Sequence, residues 1–242
     1  MIGKTLRSWM RFLIERLEFQ VLAAIVAAGA AILTFLKLSG EVGENETATF
    51  DRTVLLWFRA PGHPADPIGS HTLEEAMRDV TTLGGFTYLT LITVVAVASL
   101  LFFRKPRQAV VLAVTVCLAE VSSDVLKIFY ERPRPTLVPH GVYVYSHSFP
   151  SGHSTLSAAT YLTLAAILSS LDRRRPFKAF VFALAILMTA GVGVSRVYLG
   201  VHWPTDVLGG WTLGAAWALL ARVALGMWRG EAQDSTLVEK SS

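Results

Sequence analysis

PSGHSTLSAATYLTLAAILSSLDRRRPFK, residues 150–178, is the stretch from which the fold can be argued. Pro150 and Ser151 mark the start of a helix, since serine is a strong N-cap. An apolar run over 153–171 follows, close to the ~20 residues that a helix needs to cross the hydrocarbon core. The run ends in a short loop, 172–178, that is crowded with arginine and lysine. This pattern predicts a membrane-spanning helix whose C-terminal end lies on the cytoplasmic side.

Further apolar runs of similar length predict that the whole chain is a membrane protein. Of the 242 residues, 52% are hydrophobic and only 17% are charged, against roughly 25% in a typical soluble domain. The expected fold class is all-α, a polytopic bundle of six transmembrane helices that forms one domain over residues 19–228. The single cysteine, Cys117, excludes internal disulfides and is expected to be buried. The predicted spans are 19–38, 84–103, 108–127, 153–171, 177–195 and 205–228.

The distribution of charge over the loops predicts the orientation. Lysine and arginine are concentrated in the N-terminal tail, 1–18, and in loops 104–107 and 172–178, so these segments are expected in the cytoplasm. Loop 39–83 is acidic and is expected outside, so both termini are cytoplasmic, with a disordered tail over 229–242. The formal net charge of +4 is explained in this way, and nucleic acid is not expected as a partner. In a bacterial host the expected location is the cytoplasmic (inner) membrane.

The first outer loop, 39–83, is long enough to contain structure of its own. Apolar side chains recur there at helical spacing in two stretches, which predicts two short amphipathic helices at the bilayer interface or across the bundle. These helices could simply cap the bundle, or they could flank a lateral entrance for a lipid. The spaced residues are Phe50, Val54, Trp57 and Phe58 in the first stretch and Leu73, Ala76, Met77, Val80 and Leu83 in the second.

Three polar clusters fall at one membrane face under this topology. They lie where spans three and five leave the membrane and where spans four and six enter it, on the outer (in bacteria, periplasmic) side. The clusters are residues 127–135, 150–153 and 195–206. Cations, imidazoles and a carboxylate gathered at one surface are suited to holding a phosphate and breaking its ester.

The first cluster supplies two cations. Lys127 ends span three, and Pro133 and Pro135 predict an extended path that could bring Arg134 back towards Lys127. A guanidinium binds two phosphate oxygens at once, whereas an ammonium acts as a point charge. The alternative is that both residues are interfacial anchors, which the outer face disfavours.

The second cluster predicts an anion site at the start of a helix. Ser151 caps the helix, whose unpaired backbone N–H groups and dipole favour a bound anion. Gly152 lets a phosphate approach the backbone, and His153 could protonate a leaving oxygen. A capped helix with an incidental histidine is the alternative.

The third cluster pairs an imidazole with a carboxylate. Arg196 ends span five, and a turn through Gly200 leads to His202 and Asp206, which are four residues apart. A helical turn would place the last two on one face. A carboxylate on one imidazole nitrogen fixes the tautomer and leaves the other nitrogen free as a nucleophile. An incidental His–Asp pair at a helix cap is the alternative.

Two features of the spans themselves bear on the packing. Glu120, Asp124 and Lys127 share one face of span three, which favours a structural ion pair with Lys127 over a proton path. Gly210 and Gly214 in span six have the spacing of close helix packing, expected within the bundle rather than at a dimer seam.

The three clusters resemble, in order and spacing, the signatures of the type 2 phosphatidic acid phosphatase (PAP2) superfamily. The resemblance covers about residues 75–225, and the six-span layout is similar to the bacterial membrane-bound branch. Arg132 and Pro133 form a second Arg-Pro pair, but only Arg134 has the family's spacing from Lys127.

The resemblance implies a role for each site residue. His202 would attack phosphorus and form a phosphohistidine, with Asp206 supporting the imidazole. His153 would protonate the leaving group and then activate water. The resemblance implies neither a metal nor a cofactor, so activity should be insensitive to EDTA. The phosphate would be bound by Lys127, Arg134, Ser151, Gly152 and Arg196.

The expected function is a metal-independent membrane phosphatase of lipid phosphates or diphosphates. Candidate substrates are phosphatidylglycerol phosphate, phosphatidic acid and undecaprenyl diphosphate, the last favoured because its phosphates face outward during carrier recycling. The alternatives are a lipid phosphotransferase, which passes the phosphoryl group to another lipid such as lipid A, and a non-catalytic anion transporter. The oligomeric state is left open.

Overall fold

The computed structural model describes residues 19–143, 146–172 and 174–239, so the predicted cytoplasmic tail at 1–18 lies outside the described residues. Most of the described chain is helical. A short antiparallel hairpin, β1 Arg59–Ala60 with β2 His63–Pro67, lies between the second and third helices. The helices are α1 Phe19–Gly43, α2 Ala48–Trp57, α3 His71–Thr82, α4 Phe86–Phe102, α5 Pro106–Tyr130, α6 Gly152–Leu171, α7 Arg175–Tyr198 and α8 Pro204–Glu239.

Among the described residues, five helices are long and apolar enough to cross a membrane, namely α1, α5, α6, α7 and α8. The pair α3 and α4 is a candidate sixth span, bent by 47° at the break between them. The expected all-α membrane bundle is thus confirmed, with five or six candidate spans. The long helices extend a few residues beyond the predicted spans, because a helix need not end where the hydrocarbon core ends.

The buried centre of the bundle is α6. Most of its side chains are buried, and it packs against α5, α7 and α8. The first turn of α6 lies beside the first turn of α8, since Ser151 N–H donates to the Asp206 carbonyl over 3.0 Å. Lys127, near the end of α5, also lies against Gly152. The three polar clusters therefore meet at one end of the bundle, as the topology predicted.

The first outer loop contains two helices, as expected. In α2 the buried residues are Asp51 and Leu55, whereas Phe50 and Trp57 of the predicted stripe are 49% and 69% exposed, so contact of this stripe with the bilayer interface remains a prediction. The buried carboxylate finds polar partners in the bundle, which a count of apolar side chains could not anticipate. Helix α3 packs along α7. The depth of α2 and α3 relative to a bilayer remains a prediction.

Three further expectations differ from the structure. The predicted fold contained no strand, but the chain forms the β1–β2 hairpin around Gly62, whose φ of +78° suits a glycine turn. Residues 229–239 were expected to be disordered, but α8 continues to Glu239 because no proline or glycine follows Gly230 to end it. Cys117, expected to be buried, is exposed on α5.

Candidate active site

His202 and Asp206 lie at the start of α8. His202 precedes the helix in the loop after α7, and Asp206 occupies the first helical turn. The His202 Nδ1 atom is 3.4 Å from Asp206 Oδ2, and the two side chains are only 2% and 0% exposed. The same carboxylate oxygen accepts from the Trp203 backbone N–H over 2.8 Å, which fixes its orientation. The pair predicted from a spacing of four residues is therefore formed.

The contact with Arg134 identifies which ring nitrogen of His202 carries no proton. Its Nη1 atom is 3.0 Å from His202 Nε2, and a guanidinium can only donate, so Nε2 is the acceptor. The ring proton is therefore on Nδ1, which faces Asp206. Arg134 is anchored by donating to the carbonyls of Val201 over 2.7 Å and Ser146 over 2.8 Å. The extended path after α5 brings this cation to the Nε2 edge of the imidazole.

Lys127 and Gly152 form a close contact between α5 and α6. A Cβ atom on Gly152 would lie 2.9 Å from Lys127 Nζ, so a larger residue there would require the end of the lysine side chain to shift. Lys127 also pairs with Asp124 at 3.0 Å, which is the ion pair the sequence predicted. The buried Ser123 hydroxyl lies 3.8 Å from the same Cβ position and has no hydrogen-bond partner in the described chain.

Ser151 is the N-cap of α6, as predicted. Its side chain accepts from the Ser154 N–H over 3.4 Å, and the residue is fully buried. The positive end of the α6 dipole therefore points at the space between Lys127 and the start of α8. This geometry supports an anion beside Gly152.

Arg196 and His153 line the side of this space that α3, α4 and α7 form. Arg196 is 4% exposed and donates to Thr81 Oγ1 over 2.9 Å. His153 packs against the break between α3 and α4, where a Cβ on Gly84 would lie 3.3 Å from its own Cβ. A Cβ on Gly85 would lie 4.0 Å from His153 Nε2. The His153 side chain therefore packs against the bend between α3 and α4.

The two imidazoles share one electrostatic environment. His153 and His202 interact with each other and with the same three cations, Lys127, Arg134 and Arg196. Burial lowers the pKa of His202 well below its ordinary value, and the positive charges of Arg196 and Arg134 lower it further. The ring is therefore neutral at physiological pH.

The structure adds residues that the sequence did not single out. Ser148 Oγ donates to Asp206 Oδ2 and is 3.4 Å from His202 Nδ1. Arg132 Nη1 donates to Asp206 Oδ1 over 2.6 Å. Arg132 was noticed in the sequence as part of a second Arg-Pro pair, but no role was predicted for it. Ser148 could not be predicted from the sequence, because only the folded loop brings it to Asp206.

Among the described residues, no group of three or more histidine, cysteine, aspartate or glutamate side chains could hold a metal ion. Asp206 is instead surrounded by hydrogen-bond donors and Arg132. Metal independence remains a prediction.

A bundle of membrane-spanning helices with a buried, oriented imidazole among three cations defines the class of integral membrane phosphatases. The model of the PAP2 superfamily matches residues 108–229, and the chain belongs to this superfamily. The resemblance inferred from the three clusters is thereby confirmed.

Individual relatives support the same family. Phosphatidylglycerophosphatase B of Bacillus subtilis (strain 168) is 34% identical over 186 residues, which are 75% of this chain and 86% of that protein. An undecaprenyl-diphosphatase of Sulfolobus acidocaldarius is 32% identical over 124 residues, 49% of this chain and 56% of the relative. The crystal structure of a transmembrane PAP2 type phosphatidylglycerolphosphate phosphatase from Bacillus subtilis superposes with a TM-score of 0.71 at 32% identity, covering 81% of this chain and 94% of that chain. The chain is thus a phosphatase of the bacterial membrane branch.

Proposed function

We propose that this protein hydrolyses the terminal phosphate of a membrane lipid and that His202 Nε2 is the nucleophile. The contact of 3.0 Å between Arg134 Nη1 and His202 Nε2 carries the proposal. Because the guanidinium donates to Nε2, that nitrogen carries no proton, and the other nitrogen is turned to Asp206. A purely structural His–Asp pair at a helix cap has no need of that cation.

The first step transfers the phosphoryl group to the enzyme. His202 Nε2 attacks phosphorus, and the bond between phosphorus and the lipid oxygen breaks. That oxygen takes a proton from His153 and leaves as the lipid alcohol, or as the lipid monophosphate when the substrate is a diphosphate. Negative charge on the transferring group is stabilised by fixed cations and N–H dipoles. These groups come from Lys127, Arg134, Arg196, Ser151 and the Gly152 N–H.

The second step returns the enzyme to its starting state. His153, now unprotonated, takes a proton from a water molecule that attacks the phosphohistidine. The bond between phosphorus and Nε2 breaks, and inorganic phosphate is released. Asp206 keeps the proton of His202 on Nδ1 throughout, so Nε2 is again the nucleophile.

An apolar groove supports a lipid as the substrate. Side chains of α4 and α5 line a cavity of about 580 Å³ that is almost entirely apolar. Its lining includes Phe86, which follows Gly85 beside His153, and Leu156, which lies one turn into α6. The groove, called here the α4–α5 groove, therefore starts beside the site and extends along the membrane span. A hydrocarbon tail fits this surface, whereas a soluble phosphate ester leaves it empty.

Phosphatidylglycerol phosphate and undecaprenyl diphosphate are the leading substrates. The relative matched over the greater length is named for the first, and a second relative is named for the other. Phosphatidic acid has the same terminal phosphate monoester and belongs in the same test. The basic loops orient the protein so that the site lies at the outer face of the cytoplasmic membrane.

Purified enzyme, a panel of the three lipids and a soluble phosphate ester test the proposal. We expect free phosphate to be released without an acceptor lipid, with the highest kcat/KM for one of the first two lipids. Brief mixing with radiolabelled substrate should trap acid-labile phosphate on His202. His202→Ala should abolish turnover, and His153→Ala should reduce it by about a thousandfold or more. Near-normal hydrolysis by His202→Ala would overturn the proposal.

A further inference from the structure

A buried ion network outside the family signatures joins the first outer loop to Asp206. Arg132 donates from Nη1 to Asp206 Oδ1 over 2.6 Å and from Nη2 to Asp51 Oδ2 over 2.7 Å. The side chains of Arg132, Asp51 and Asp206 are 11%, 1% and 0% exposed. Charges buried to this extent persist only when they are paired. The arginine therefore holds two carboxylates from different parts of the chain in fixed positions.

Asp51 is itself held from both sides. Thr47, at the start of α2, donates from its hydroxyl to Asp51 Oδ2 over 2.9 Å. Thr205, at the start of α8, donates its backbone N–H to Asp51 Oδ1 over 2.9 Å and its hydroxyl to Oδ2 over 2.7 Å. Thr205 immediately precedes Asp206. The outer-loop helix is thus tied to the turn of α8 that orients the nucleophile.

The charges of this network bear directly on His202. Asp51 and Asp206 contribute two negative charges against the single positive charge of Arg132. With Asp51 present, a net negative charge remains beside His202 Nδ1, which stabilises the positive charge that develops on the ring during phosphoryl transfer. Without Asp51, Arg132 would neutralise Asp206 alone, and that stabilisation would fall.

We propose that Arg132 and Asp51 are positioning residues, through which the first outer loop orients Asp206 and sets the charge beside His202. This inference rests on the proposed function, because it takes His202 as the nucleophile. Neither residue belongs to the groups proposed to bind phosphate, so both would act through Asp206. A packing role alone predicts a loss of folded protein but no change in the chemistry of the folded fraction.

The kinetic test uses single substitutions in the purified full-length enzyme. Arg132→Gln and Asp51→Asn should each lower kcat by about tenfold to a hundredfold, with KM for the lipid within about threefold, because a small misorientation of the nucleophile slows reaction without weakening binding. Arg132→Lys should recover part of kcat, since an ammonium can reach one carboxylate but cannot bridge both. Thr47→Val removes the hydrogen bond from the Thr47 hydroxyl to Asp51 and the one of 3.3 Å from Arg132 Nη2 to the same hydroxyl, but no charge, and it should lower kcat less than Asp51→Asn does. Thr47→Val still tests the positioning role if Asp51→Asn or Arg132→Gln does not fold.

The pH profile separates positioning from packing. Asp51→Asn removes a negative charge and should move the acid limb of kcat/KM to lower pH, whereas Arg132→Gln removes a positive charge and should move it to higher pH. The double variant should lie between the two. Loss of packing alone cannot give shifts of opposite sign. The charged and titratable groups that face His202 from the surrounding elements, Lys127, Arg134, His153, Arg196 and Asp206, are unchanged in these variants.

Glu74→Gln is the matched control, since it makes an acid-to-amide change in the same outer loop, in the ion pair with Arg78. Its kcat should stay within about twofold of the unmodified enzyme, as expected for a partly exposed pair. Wild-type kcat and pH profiles in both Arg132→Gln and Asp51→Asn would overturn the positioning role. If the unmodified enzyme fails to form a phosphohistidine at His202, the proposed function fails instead, so the two failures are distinguishable.

Discussion

At the scale of single residues, the proposed mechanism depends on the protonation state of His202. The pKa of this imidazole is lowered first by burial and then by the positive charges of Arg196 and Arg134. An ordinary histidine has a pKa of about 6.5 and would be mostly protonated in mild acid. His202 keeps its Nε2 lone pair at such a pH, so the proposed nucleophile stays unprotonated in conditions that would protonate an exposed histidine.

We therefore expect the acid limb of kcat/KM to lie below pH ~6.5, the ordinary histidine value. Arg134→Gln removes a nearby positive charge, so it should raise the pKa of His202 and move the limb to higher pH. The measurement is a pH profile of both enzymes with one lipid substrate, whose own ionisation then contributes equally to both profiles. A limb at or above the ordinary histidine value in the unmodified enzyme would contradict the environment described for His202.

The residues of the site differ in how far the sequence could predict them. His202 and Asp206 are four positions apart, so local helix geometry was enough to pair them. Arg134 was expected to fold back towards Lys127, but its contact with His202 Nε2 was not predicted, because it depends on the Val201 and Ser146 carbonyls that hold the guanidinium. Ser148 reaches Asp206 only through the tertiary fold, and no local pattern announces such a contact.

At the scale of helices, α6 and α8 pack closely along the turns that follow the site residues. A Cβ on Gly210 would lie 2.7 Å from the Ser151 carbonyl oxygen, and one on Gly214 would lie 2.4 Å from the Thr155 carbonyl oxygen. The spacing of these glycines predicted close packing inside the bundle, and the structure shows that contact. What the spacing could not identify was the partner helix, since every span presents small residues.

Gly214→Ala should destabilise the protein by about 1–3 kcal/mol, because the added methyl group meets fixed backbone and forces α6 and α8 apart. Thermal unfolding in detergent measures the loss. Gly29→Ala is the matched control, since nothing lies within 4 Å of the new Cβ in α1. Equal unfolding temperatures for the two variants would contradict the tight contact.

The α4–α5 groove makes a separate prediction at this scale. Val94 lines the groove, whereas Val114 is exposed on α5 without lining it. Val94→Trp should lower kcat/KM for the lipid by about tenfold or more while leaving hydrolysis of p-nitrophenyl phosphate unchanged, because only the tail is displaced. Val114→Trp should leave both activities unchanged. If Val94→Trp lowered activity on the lipid and on p-nitrophenyl phosphate equally, the groove would not bind the lipid tail.

At the scale of the whole molecule, the alternation of basic and acidic loops predicted a chain folded with three polar clusters at one end. The structure brings those ends together, while the basic segments 104–107 and 174–178 lie at the opposite ends of the helices. Hydropathy and charge were enough for this arrangement because a membrane leaves few alternatives to helices across it. The β1–β2 hairpin and the buried face of α2 depend on contacts between distant segments, so they were not predictable.

The orientation can be tested with single cysteines introduced after Cys117→Ser. Tyr143→Cys, at a side chain that is 92% exposed near the site, should react with a membrane-impermeant maleimide on intact spheroplasts. Asp172→Cys, in the basic loop, should react only after permeabilisation. Labelling of the second variant but not the first in intact cells would invert the predicted topology.

The shared guanidinium of Arg132 also has an evolutionary consequence. Because Asp51 and Asp206 both pair with it, a lineage that loses Arg132 is left with two unpaired carboxylates in the interior. Asp51 and Arg132 should therefore covary, so that descendants lacking the arginine have exchanged the outer-loop acid as well. A set of homologous chains in which the two positions drift independently would show that the link is dispensable.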